Sequence, residues 1–111
     1  MRTIETSIQR KQRITIIECI EEVIDVPREY WEVKRTKKEH EVMIRHIYIY
    51  FLKKYGDYTL EKMAELCGLK YHSSILRNVR MVESWLASPQ DYTHANEIIT
   101  KVEQLYEQRN S

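Results

Sequence analysis

Glycine and proline are scarce in this chain, two of each in 111 residues. An antiparallel sandwich or barrel needs many tight turns built on such residues, so that class is the first to be excluded. The two cysteines, Cys19 and Cys67, lie far apart in no CxxC pattern. They fit neither a disulfide scaffold nor a thiolate zinc site, and they read as small apolar core residues in a reducing compartment. No run of 18 apolar residues occurs, and the start carries no signal-peptide core. The expectation is a cytoplasmic protein without a membrane partner. There is no Gly-rich phosphate loop, and a chain of this length fits one domain, with no room for a nucleotide-hydrolysing unit beside it.

What the chain does contain is typical of a folded helical protein: 42% hydrophobic and 32% charged residues, rich in Glu, Lys, Leu and Ile. The net charge is only +1, yet it is unevenly distributed. Residues 1–33 carry five Lys/Arg against seven Asp/Glu, residues 34–84 eleven against six, and residues 85–111 two against four. A basic middle between acidic ends is where a phosphate-binding face belongs.

Apolar spacing predicts the elements. Ile8, Ile14, Ile17, Cys19, Ile20, Val23 and Ile24 suggest an amphipathic helix from Thr6 to Ile24. Asp25-Val26-Pro27 ends it, and Pro27 suits the first turn of a short helical piece over Arg28 to Trp31. After the basic run Lys34-Arg35-Thr36-Lys37-Lys38 comes a second helix, Glu39 to Tyr55, apolar over most of its circumference and so expected at the centre. Gly56 is expected to take the left-handed position after it. Thr59 caps a third helix carrying Leu60, Met63, Ala64 and Cys67 at helical spacing. A fourth runs from His72 or Ser73 to Leu86, and a fifth from Tyr92 to Glu107.

Thr59 to Leu86 has helix-turn-helix grammar. A short helix ends at Cys67, Gly68 allows a sharp reversal, Leu69 plugs the angle, and Ile75, Val79, Val82 and Leu86 give the following helix an inward face. Lys70, Tyr71, His72, Ser73, Ser74, Arg77 and Arg80 gather at its start and outward side. Recognition helices present such N-terminal residues to the major groove, where hydroxyls and backbone N–H groups hold phosphate and Lys, Arg or His donates to guanine.

From about Ile16 to Glu83 the chain resembles the C-terminal DNA-binding domain of the bacterial replication initiator DnaA. The resemblance lies in the basic loop at Lys34 to Lys38, the arginine element Ile44-Arg45-His46, the helix start Thr59-Leu60-Glu61-Lys62-Met63-Ala64, and the signature-like run Cys67-Gly68-Leu69-Lys70-Tyr71-His72-Ser73-Ser74-Ile75. It implies an all-α, compact bundle of about five to six helices, DnaA C-terminal or Trp-repressor-like, over residues 1–111 with its core at about 16–86. It also implies binding of double-stranded DNA: Arg45 towards the minor groove, Lys34, Arg35, Lys37 and Lys38 on the backbone, and Lys70, His72, Ser73 and Ser74 in the major groove. Tyr71 stands where the family has Asp, Lys70 where it has Arg, Leu69 where it has a second Gly and Ile44 where it has Pro. A phenol does not accept from a cytosine amine as a carboxylate does, and lysine lacks the planar fork that grips guanine, so the expected site preference differs from the family's.

The reading is therefore of a nucleoid-associated accessory in replication or transcription control, from a bacterium, phage or mobile element, with a replication or regulatory protein as a second partner. It expects no enzyme activity, cofactor, metal or small-molecule substrate: His72 lies beside Ser73 and Ser74 in sequence, and neighbours on a helix do not face each other. The alternative is a protein-interaction module that retains the fold without DNA binding, its partner patch made of exposed Tyr30, Trp31, Tyr71 and Trp85.

Overall fold

A computed structural model describes residues 4–33 and 38–110. Helix α1 (Ser7–Val23) opens with a reciprocal cap in which Thr6 Oγ1 accepts from the Gln9 N–H and Gln9 Oε1 accepts from the Thr6 N–H, both at 3.0 Å. It buries Ile16, Ile17, Cys19 and Ile20. Ile8 and Ile14, expected on the same stripe, are 72% and 38% exposed; they flank the buried stripe of Ile16, Ile17 and Ile20, while the start of α1 meets Asp57 and Tyr58 through Gln9. A 3₁₀ turn (Arg28–Tyr30) follows. It delivers Trp31 into the core, where the indole N–H donates to the Val26 carbonyl at 3.0 Å and the ring meets Tyr48 edge-on at 5.4 Å. Trp31 is fully buried, so it belongs to no surface patch.

Helix α2 (Glu39–Gly56) is the central element. It packs on α1 and most extensively on α4, and it buries Ile44, Ile47, Tyr48, Ile49, Phe51 and Leu52. Side chains buried around most of a helix's circumference require neighbours on several sides. The left-handed residue that ends α2 is Asp57 (φ 52°, ψ 40°), not Gly56. Gly56 answers a steric need, since a Cβ there would run into the Tyr58 ring. Asp tolerates the left-handed region better than most residues with a side chain.

Helix α3 (Leu60–Cys67) is capped by Thr59, whose hydroxyl accepts from the Lys62 N–H at 3.1 Å. Helix α4 (His72–Ala87) packs against both α2 and α3, burying Ile75, Val79, Val82 and Trp85. Helix α5 (Thr93–Arg109) closes the bundle against α1 through Ile98, Ile99, Val102 and Tyr106, with Tyr106 stacked on Tyr55 at 4.0 Å. Lys54 with Glu103 (2.9 Å) and Arg109 with Glu22 (2.7 Å) tie α5 to α2 and α1 at the surface. The architecture is an all-α, five-helix bundle. Among the described residues no helix is long and apolar enough to cross a membrane.

Candidate functional site

The connection from α3 to α4 is set by one glycine. Gly68 adopts φ 67° and ψ 30°, a conformation that places a side chain's Cβ against the following carbonyl and that glycine adopts freely. The Gly68 N–H donates to the Glu65 carbonyl (3.4 Å) and the Leu69 N–H to the Ala64 carbonyl (2.9 Å), the paired bonds of a Schellman ending. Leu69 is half-buried and packs on the core beneath the turn. The chain thus leaves α3, turns within four residues and enters α4 at His72.

The start of α4 is open. Its N-cap, Tyr71, makes no side-chain capping bond, and no acidic residue occupies the first turn. The leading backbone N–H groups of a helix have no intrahelical partner and carry the positive end of its dipole. Lys70, Tyr71, His72, Ser73, Arg77 and Arg80 are exposed there, and Ser74 is half-buried. Lys70 Nζ lies 5.4 Å from the centre of the Tyr71 ring, so the ammonium and the phenol form one cationic-aromatic feature at the mouth of the turn. On the opposite side of α4, Asn78 is buried among the core residues, and its amide is satisfied within the helix by donating to the Ser74 carbonyl.

The other sequence-derived candidates are placed differently. Lys34, Arg35 and Lys37 lie outside the described residues. Lys38 is the exposed N-cap of α2 and has an interaction partner of its own. Arg45 is only 5% exposed, with Nε and Nη1 buried and without a hydrogen-bond partner. Burial pushes its guanidinium below the ordinary arginine value. Reaching a groove therefore requires this side chain to leave the position it holds here. Of the proposed aromatic patch, Tyr30 and Tyr71 are exposed (46% and 59%), whereas Trp31 and Trp85 are not. Four exposed aromatics do not exist, because two of them fill the core.

A second feature escaped the sequence. A groove of about 670 Å³ lies between the first half of α2, the second half of α4 and the first turn of α5. His46 stacks on Trp85 across it (5.9 Å between centroids), and His40 stacks on His94 (5.7 Å). Burial drives the His46 imidazole down from 6.5 to about 4, with the neighbouring Arg45 charge a smaller contribution, so the ring is neutral at physiological pH. The histidines come from two helices that only tertiary packing brings together, and no spacing in the sequence signals the meeting. No group of three metal-ligating side chains occurs among the described residues. Cys67 is buried and its thiol is pushed up to about 12 by desolvation, which makes it an inert core residue.

Comparisons with protein-family models, with curated proteins and with solved structures find no match for this chain. The class that fold and site define is thus an all-α five-helix bundle with an open, basic start to its fourth helix.

Proposed function

We propose that the chain binds duplex DNA, with α3, the Gly68 turn and α4 acting as a helix-turn-helix and the start of α4 entering the major groove. The observation that carries the reading is the uncapped N-terminus of α4, free of acidic residues in its first turn and surrounded by exposed Lys70, His72, Ser73 and Arg77. Such a helix end offers backbone donors and positive charge to a phosphate while its side chains reach base edges. The likeness of residues 67–75 to the DnaA signature supports the same role, and Lys70 and Tyr71 make the sequence preference this chain's own. Arg45, held inside with two unpaired nitrogens, is read as a residue that gains partners when it turns outward to the minor groove. The biological setting that fits is an accessory in replication or transcription control. The reading contains no catalytic step.

Fluorescence anisotropy on labelled duplexes across a salt series tests it. Each phosphate contact releases counterions, so affinity falls steeply as salt rises. Arg77→Ala is expected to weaken all duplexes alike and to flatten the salt slope by about 1. Lys70→Ala and His72→Ala are expected to cost about 1–3 kcal/mol on a preferred duplex and much less on a random one. Unchanged affinities in all three variants would remove α4 from the interface.

The partner-patch alternative has lost half of its residues to the core, and no observation on Tyr30 and Tyr71 alone favours it.

A further inference from the structure

Two apolar surfaces at opposite ends of the molecule stand outside the DNA reading. The first is the groove between α2, α4 and α5. Met81 and Tyr92, which line it, are 42% and 44% exposed, with Trp85 buried behind them and Glu39 and Asp91 adding carboxylates. The second is formed by Ile4 and Ile8, at 82% and 72% the most exposed large apolar side chains among the described residues. Lys11, one helical turn on from Ile8, is exposed on the same side. Among the described residues neither Lys11 nor Glu39 and Asp91 take part in an ion pair, and Lys38, next to Glu39, is already engaged.

The separation of the two surfaces follows from one contact. Gln9 Nε2 donates to the Asp57 carbonyl at 2.9 Å, which fixes the start of α1 against the C-terminal end of α2. The groove is built on the N-terminal half of α2, and an 18-residue helix is about 27 Å long. The Ile4–Ile8 segment therefore cannot fill the groove of its own chain. It can fill that of another: one surface is an apolar projection with a lysine beside it, the other an apolar groove flanked by carboxylates. A net charge of only +1 adds little repulsion between copies.

We propose that a second copy of this chain docks Ile4 and Ile8 into the groove, against Met81, Tyr92 and Trp85, with Lys11 facing Glu39 and Asp91. The contact joins two different patches, so it is head-to-tail and leaves a free projection and a free groove at the ends of every assembly. Lys70, Tyr71, His72 and Ser73 do not line the groove, so the proposal stands whether or not the chain binds DNA.

Sedimentation velocity on the full chain over rising concentration tests it. The expected result is an average mass that climbs past the dimer. Ile8→Asp and Met81→Asp alter exposed side chains, and circular dichroism checks that each variant keeps its helices. Each variant alone is expected to stay monomeric. Mixed together they are expected to form a dimer and nothing larger, because the first supplies an intact groove and the second an intact projection. A wild-type chain that stays monomeric throughout overturns the proposal. So does self-association that survives either substitution, or a mixture that fails to dimerise, since a contact between like patches is not restored by mixing.

Discussion

The start of α4 and the middle of α2 both carry basic residue types, and the structure puts them in opposite surroundings. Lys70, His72 and Arg77 stand in solvent around an uncapped helix end. Arg45 and His46 sit among packed helices, one with orphaned nitrogens and the other with a depressed pKa. A solvated cation costs the fold almost nothing and is available to an anionic partner at once. A buried cation without a partner lowers stability for as long as it stays inside. The two regions are therefore expected to answer substitution in opposite ways: the α4 start through binding, the α2 middle through stability.

The largest expected effect contrasts their apolar content. Phe51→Ala, in the fully buried wall of α2, is expected to cost about 3–5 kcal/mol in urea unfolding, against roughly 0.5 kcal/mol or less for Tyr71→Ala at the exposed turn. Comparable losses at both sites would erase the distinction.

Next comes acid. His46 has its folded pKa lowered from 6.5 to about 4, so the unfolded chain takes up the proton first. Its contribution is fully present above pH 6.5, declines as pH falls towards 4, and is lost below that. A drop of about 2 kcal/mol is expected across the window, less than the whole shift would give because the ring partly reaches solvent. His46→Leu should flatten that portion of the curve, and an unaltered curve would mean the imidazole is not the group responsible.

Arg45→Met replaces the orphaned guanidinium with an apolar chain of similar length. Stability is expected to rise by about 1–2 kcal/mol in denaturant titrations while duplex affinity falls. A destabilised variant would show that the guanidinium is satisfied in the folded protein. The smallest effect is at the turn. Gly68→Ala forces a side chain to φ 67° and is expected to cost about 1 kcal/mol, visible as a lowered melting midpoint with the α4 helix retained.

These contrasts also mark how far the sequence alone could be read. Helix boundaries were legible to within a residue or two at most ends, because Thr6, Thr59, Gly68 and Pro89 act locally and periodicity needs no knowledge of neighbours. The Gly68 turn and the exposed α4 start were legible for the same reason. What failed depends on packing between distant segments. Ile8 shares an apolar pattern with Ile17 and Ile20, but the start of α1 meets the end of α2 through Gln9 and Tyr58 and leaves Ile8 in solvent. Gly56 looked like a left-handed cap, when its role is to clear the Tyr58 ring and Asp57 takes the unusual conformation. A single Trp at a helix end gives no sign that another element will close over it, as happens at Trp31 and Trp85, and the resemblance points Arg45 outward although its apolar neighbours Ile44 and Ile47 place it in the core. The groove that brings His40 to His94 joins residues 54 positions apart.

The central claim, duplex DNA binding through the start of α4, is tested most directly by selection from a pool of randomised duplexes, with the enriched sequences then titrated at several salt concentrations. The expected result is an enriched motif, affinity that falls steeply with salt, and loss of the enrichment in the Lys70→Ala, His72→Ala double variant. A pool that returns unenriched, with no salt-sensitive binding at any concentration tested, would contradict it.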